Sequence, residues 1–596
     1  MKKYILICLM ALVAQACDDT FMDRYPRTAI SPEEFFKSED DLRLYVNGLL
    51  SLPGMGEYQA DQSSDNLATT AAVEVKTIMT GTPNSQNITG GWNWGRLRNI
   101  NYFLEYMGGA NASPEAKNHY EGLARYYRAV FYMGMVKRFS DVPWYGSLLN
   151  PQDEELFKAR DPRQYVMERV MEDLEFAATH VREQVPSGTP GKWAVKTFYA
   201  RTALYEGTFR KYHTELNLQQ TANAFLTKAR DVAGEIIQSG KFSLHSTGNP
   251  HADYAALFRS LNLVGNPEVI LVNPFDINRD RNSNINFTVF GTYEQSPSRD
   301  LVQTYLMADG SRFTDLPNYQ TMQYVQEFAN RDPRLSQTLV YPGWIRQPDP
   351  TAFVPLMNRN FTGYFQQKGY NNTVDNVAIG SLDFPVYRYA EVLLTFAEAK
   401  AELGEITQGD LDASINLLRN RVAMPHLNLA SANSNPDPVL SAKYPSVTGP
   451  NSGVILEIRR ERRVELALEG YRFDDLMRWK SGKLLESIPE GMYFPGLGKY
   501  DLTGDGHEDI ILIGRDAVIP PDPSKERNAL GTMLVYYRAG EFGENVTVYL
   551  RNGTNGGTLV TEVTPRRFID PKFYFRPIPF QQVTLNPNLE QIFGWE

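Results

Sequence analysis

The stretch from Ile455 to Lys483, ILEIRRERRVELALEGYRFDDLMRWKSGK, constrains this chain more than any other. Ile455, Ile458, Val464, Ala467, Leu468 and Tyr471 recur mostly at three- and four-residue steps, and Phe473, Leu476 and Met477 carry the stripe onward. That period predicts an amphipathic helix with one buried face. Arg462, Glu465, Glu469 and Arg472 interleave at the same steps, so opposite charges become neighbours on one flank, either paired or solvated. Gly470 interrupts the helix and predicts close approach of another backbone.

The same helical period recurs elsewhere. Hairpins are expected near 115–139, 163–210, 389–422 and 455–483, with a further helix from Trp92 to Met107. Ser31-Pro-Glu-Glu34 reads as a helix start, an N-cap followed by Pro and then Glu at N3. ARYYRAVFYMGMVKRF, VKTFYARTALYEG and FAEAKAELGE alternate small and large residues, as helices that pack closely do. Between the hairpins, residues 53–91, 242–380, 425–452 and 488–579 are rich in Pro, Gly, Asn and Asp, which predicts loop-rich insertions with short strands.

The formal net charge of -10 argues against a nucleic-acid partner. The chain has 2 cysteines, Cys8 and Cys17, so the body beyond them has neither a disulfide framework nor a cysteine metal site. Residues 1–16 read as a signal peptide: Lys2 and Lys3, an apolar run from Tyr4 to Val13, then Ala14-Gln15-Ala16-Cys17 in the manner of a lipobox. Cys17 is the expected lipidation site, residues 17–30 a tether, and 31–596 the folded body. Phosphate-cradling, dinucleotide, zincin and nucleophile-elbow motifs are missing, and the histidines stand singly.

One loop, Asp501-Leu-Thr503-Gly-Asp505-Gly506-His507-Glu-Asp509, sets oxygen groups around a glycine turn, with the His507 carbonyl at the seventh position. It looks like the D-x-[DNT]-G-D-G-x-x-D loops of integrin-type propeller repeats and makes a structural calcium a candidate. The other reading is a polar turn whose Asp side chains bond their own backbone.

The wording of several stretches is that of a known family. Glu461, Arg462, Arg463, Glu465, Leu466, Ala467, Glu469, Gly470, Arg472, Asp475, Leu476, Arg478 and Trp479 resemble the ERRxELAxEGxRxxDLxRW segment of SusD/RagB outer-membrane lipoproteins of Bacteroidota. LRNINYFLE (97–105), PSRDLVQTYLMADG (297–310), RDPRLSQTLVYPG (331–343), FPVYRYAEVLLTFAEAKAELG (384–404) and the closing FYFRPIPFQQVTLNPNLEQIFGW (573–595) extend the likeness along the chain.

The resemblance implies a mainly α fold: a tetratricopeptide-like helical superhelix with long loop-rich insertions and a few short strands. It implies a non-enzymatic surface lipoprotein that binds glycan oligosaccharides and passes them to a SusC-like TonB-dependent transporter, with the membrane reached through the lipid anchor. A glycoside hydrolase with an unidentified carboxylate pair, a peptide or glycoprotein binder of the same family, and a scaffold without a pocket are the alternatives. Sugar capture needs aromatic faces and planar polar groups on loops, which makes Tyr58, Asp65, Asn66, Trp92, Tyr293, Trp344 and Tyr364 the candidates. Cys17→Ala is expected to abolish lipidation and move the protein into the soluble fraction on cell fractionation; retention on the outer membrane would refute the lipobox.

Overall fold

The computed structural model describes residues 35–291, 295–347, 349–372 and 380–596. The signal peptide, Cys17, the tether, the Ser31–Glu34 helix start and Tyr293 lie outside them. The helix at this end is Glu39–Leu49, and its cap is Ser38, whose hydroxyl accepts from the N–H of Asp41 while the Asp41 carboxylate accepts the N–H of Ser38.

Helices stack side by side. Pro114–Phe139 packs against Arg163–His180, which packs against Lys192–Tyr212, with Glu39–Leu49 and Gly95–Tyr106 on the outer side of the first. Ser113 caps the longest helix and Pro114 sits where an N–H would be unpaired anyway. Ala222–Gln238, a helix the sequence reading left unassigned, is wedged between Lys192–Tyr212 and Tyr389–Leu403. Its buried stripe, Leu226, Ala229, Val232, Ala233 and Ile236, has the helical period. A Cβ on Gly207 would lie 2.8 Å from Leu226 Cγ, so the glycine is what lets these two helices meet. The second half of the hairpin expected near 389–422 is broken into Gln408–Asp412 and Ile415–Arg421.

The insertions carry the strands. Val269–Asn273 pairs antiparallel with Phe384–Arg388, which closes the base of the 242–380 insertion and delivers the chain straight into the Tyr389–Leu403 helix. Near the C-terminus, Gly498–Tyr500, Ile510–Gly514, Val535–Gly540 and Val548–Tyr549 form a four-stranded sheet, antiparallel at the first pair and parallel after it. Among the described residues the molecule is mainly α with a few short strands.

The Ile455–Lys483 stretch differs from the amphipathic expectation in two ways. It forms two helices, Ser452–Glu465 and Arg472–Arg478, joined by a turn in which Leu468 (φ 61°) and Gly470 (φ 81°) are left-handed. Gly470 does face another backbone, as expected: Glu57 O lies 3.5 Å from where its Cβ would be. The second difference is burial on every face, charged flank included: Gly453 to Glu465 are all buried. The charges are not solvated because the 242–380 insertion and the Ile415–Arg421 helix fold over them.

Each charge has been matched there. Glu465 accepts from Arg388 Nη1 and from Arg421 Nη2, both at 2.7 Å, and from Arg334 Nη1 at 3.1 Å. Glu469 accepts from Arg388 Nη2 and Lys368 Nζ, both at 2.6 Å. Glu461 is shared by Arg334 (2.5 Å) and Arg419 (3.0 Å), and Asp332 and Glu268 complete the shells of Arg334 and Arg388. A second knot joins Arg462 to Asp475, and Arg478 to Asp475 and Glu398. Arg459 sits among the rings of Tyr212, Tyr444 and Trp479, 4.4 Å from the Trp479 centroid.

Removing one member strands its partners. Glu465→Gln should cost about 3–5 kcal/mol, the penalty for uncompensated buried charge, read from denaturant unfolding. Acid should do the same to the whole network. Burial alone would raise the carboxyl of Glu398, but Arg478 outweighs it and holds it at about 2. Glu461, Glu465 and Glu469 are likewise held below the usual range by their arginines against the pull of burial. Carboxyls lowered on folding stabilise above their unfolded pKa of about 4.3 and stop doing so as pH falls through the folded values. Glu327 and Asp61, pushed up by burial, act in the opposite sense and are outnumbered. Stability measured by unfolding at a series of pH values should therefore hold near neutrality and fall between about pH 4 and pH 2.

Candidate functional site

The buried network places one cleft in particular. Tyr254, on the short helix Asp253–Leu257, donates its hydroxyl to the carbonyl of Glu465 at 2.8 Å and accepts from Lys368 Nζ at 2.6 Å. Arg334, bound to Glu461 and Glu465, fixes the helix Pro333–Thr338, which Asp332 caps. Gln337 on that helix ties the two together: its Oε1 accepts the N–H of Ala255 at 3.0 Å, and its Nε2 donates to Pro250 O at 3.0 Å. Lys368 donates to Glu469 and to the carbonyl of Ala467 in the turn that follows. Three separate pieces of the 242–380 insertion are thus pinned to the helix Ser452–Glu465 and its following turn.

Between them opens a cleft of about 830 Å³. Its walls carry His251 and Arg259, Ser336 and Gln337, Tyr341 to Ile345, Gln367, Asn372 and Thr503-Gly504. Tyr341 and Ile345 are exposed, at 36% and 46%. Gln367 is buried; its Nε2 donates to the carbonyls of Ser336 and Leu339, which fixes the amide's orientation, and its Oε1 has no partner. Asn372 bridges the rim, donating to Ile345 O at 2.7 Å and accepting from the N–H of Gln347 at 2.8 Å. Such a cleft offers an aromatic face and polar side chains, the fittings of a site for a polar ring compound.

A sequence profile of the SusD family matches residues 267–595, more than half of the chain. The chain belongs to the SusD family. SusD-like proteins P25 and P38 of Formosa agariphila are each 23% identical to it, the match to P25 covering 83% of this chain and 92% of that protein. A SusD-like carbohydrate-binding protein from Bacteroides fragilis superposes with a TM-score of 0.66 at 22% identity, covering 93% of this chain and 100% of that one. A second SusD-like protein of that organism gives 0.63 at 19% identity over 96% of this chain and 100% of its own. At that identity the likeness shows the fold.

The structure separates the candidate residues of this SusD-family chain and buries most of them. Tyr58, 1% exposed, packs edge-on to Phe384 beneath Gly369. Tyr364 is fully buried with its hydroxyl on Glu327. Asn66 is buried between Asp61 and Arg463. None of the three can turn a face to a ligand, because each completes a buried hydrogen-bond or ring contact. Asp65 accepts both ends of the Arg472 fork at 2.7 and 2.8 Å; burial would raise its carboxyl, but Arg463 and Arg472 hold it at about 2. It reaches only the edge of a second cleft, of about 540 Å³, whose carboxylates Asp300 and Glu490 are also paired, with Arg463 and Arg551.

Trp92 is half-buried, edge-on to Trp94 and Phe139, and lines a third, apolar groove with Tyr145, Leu156 and Phe157. Trp344 does line the 830 Å³ cleft, but at 5% exposure it presents an edge, its ring held by Phe290, Phe353 and Tyr370. Its neighbour Tyr341, inside the RDPRLSQTLVYPG motif, is the exposed ring that sequence reasoning passed over. Arg259, Gln337 and Gln367 were missed too, since nothing in spacing distinguishes a cleft-lining amide from any other.

The calcium expectation finds no ligand group: among the described residues, no three acidic, His or Cys side chains gather around one point. Asp501 accepts the N–H groups of Gly504 and Gly506 at 2.6 and 2.9 Å, and Asp505 that of His507 at 2.8 Å. Asp509 accepts from Leu502 and Thr503 at 2.7 and 2.8 Å. The side chains bond their own backbone, the polar-turn reading, and the turn stiffens the Thr503-Gly504 end of the cleft.

Proposed function

We propose that this chain is a surface lipoprotein, anchored through Cys17, that binds oligosaccharide in the cleft of Tyr341, Gln337 and Gln367 and delivers it to a SusC-like TonB-dependent outer-membrane transporter. The observation that carries the reading is an exposed Tyr341 in a cleft lined by the amide residues Gln337, Gln367 and Asn372 of a SusD-family chain. Tyr341 would lie against the C–H face of a sugar ring. The Bacteroides fragilis relative called carbohydrate-binding has the same fold, which supports the class of ligand. Family membership and the lipobox support transporter delivery and the surface location.

A hydrolytic reading is poorly served by this cleft. Glycoside hydrolysis uses two carboxyl groups about 5–10 Å apart, one of them with a raised pKa. The described residues that line the cleft include no Asp or Glu. In the neighbouring cleft, Asp65 and Asp300 are held low by Arg463, with burial opposing, which suits ion pairing rather than proton donation.

Calorimetry against a panel of oligosaccharides should find binding that Tyr341→Ala weakens by about tenfold or more, about 1.4 kcal/mol, with the unfolding midpoint unchanged. Release of reducing ends in proportion to protein would overturn the binder reading. Pull-down of the tagged, lipidated chain in mild detergent should bring a large β-barrel partner, and its absence would count against delivery.

A further inference from the structure

The cleft differs from the rest of the molecule in its charge. The chain carries a net charge of -10, yet the described residues lining this cleft include Arg259 and His251 and no carboxylate. The second cleft mixes both signs, Asp65, Asp300 and Glu490 against Arg299, Lys443 and Arg551.

Arg259 is also unlike the buried arginines around it. Arg334, Arg388, Arg419 and Arg421 each hold at least one carboxylate within 3.0 Å. Among the described residues Arg259 forms no ion pair, and its Nε is buried without a hydrogen-bond partner. Its backbone is fixed from both directions, the N–H donating to Ala256 O at 3.2 Å and the carbonyl accepting from Asn371 Nδ2 at 3.2 Å. The side chain is therefore placed by the scaffold and left unmatched. Arg259 is half-buried with no carboxylate beside it, and a bound anion would supply the counter-charge. A planar fork of donors suits carboxylate and sulfate oxygens, which it takes two at a time.

We propose that the oligosaccharide taken by this cleft is anionic, bearing uronate carboxylates or sulfate esters, and that Arg259 is the residue that reads its charge. This rests on the cleft being the saccharide site. His251 lies exposed on the same rim. Tyr341, Gln337 and Gln367 then serve the ring and its hydroxyls, while Arg259 sorts charged rings from neutral ones.

The test uses the full soluble chain, calorimetry, and three probes: an oligogalacturonate, the same oligosaccharide with its carboxyls reduced to alcohols, and a sulfated galactan oligosaccharide without carboxyls. The expected result is that one or both anionic probes bind at least about tenfold more tightly than the reduced one, and that the advantage shrinks when salt is raised from about 0.1 M to 1 M. Which of the two anions is preferred distinguishes carboxylate from sulfate. Arg259→Met should erase the advantage while leaving any affinity for the reduced probe, and Arg259→Lys should keep part of it. Because the wild-type comparison needs no variant, poor folding of Arg259→Met leaves the test intact. Equal affinity for the reduced and anionic probes would overturn the charge assignment and leave the saccharide site standing. Binding of none of the three, with neutral oligosaccharides also unbound, would overturn both.

Discussion

The fold turns on the burial of Glu465 and Glu469. Two carboxylates four residues apart would repel if left to themselves, and the interior offers no water to screen them. Arg388 bridges them, Arg334 and Arg421 flank the first, and Lys368 takes the second. With Glu461, Asp332, Glu268 and Arg419 included, carboxylates and cations balance one for one. Desolvating such a set gives back little net stability, yet any arrangement that omits one member leaves a bare charge costing several kcal/mol. The network therefore acts chiefly by excluding alternatives: residues from 253 to 469 must come to one place together.

That requirement explains why a long insertion can hold a defined cleft. Chain rich in Pro, Gly and Asn has little core of its own, and loops usually vary in conformation. Here Tyr254, Arg334 and Lys368 reach from the insertion into the network, and Gln337 ties the helix Asp253–Leu257 to the helix Pro333–Thr338. The cleft walls inherit the rigidity of the Ser452–Glu465 helix. Residues that contact a ligand can then change without disturbing the frame, since Tyr341, Ile345 and His251 lie outside the charge network.

Several elements could be read from the chain directly. Tyr389–Leu403 has the bounds its period predicts, because a long helix ending at Gly404 in a left-handed turn carries its own stop signal. Pro114–Phe139 follows for the same reason, with Ser113 and Pro114 marking its start. Ala222–Gln238 went unassigned although its apolar period is regular, since no Pro or Gly marks its start. The candidate site fared worse. Tyr58, Asn66 and Tyr364 sit in loops by composition, yet they pack into the core because the insertions fold back onto the helices. Composition reports that a residue is in a loop; it does not report which side of the loop faces water.

What the sequence by itself determined is the helical frame, the family, and the placing of opposite charges side by side along residues 457–478, because helical period and residue identity are local properties written in order along the chain. Only the tertiary structure decided that those charges are buried, that the helix already ends at Glu465 and turns through a left-handed Leu468, and that Arg259, Gln367 and Tyr341 share one cleft. Those outcomes depend on contacts between residues tens to hundreds of positions apart, and burial is a property of the assembled surface rather than of any segment.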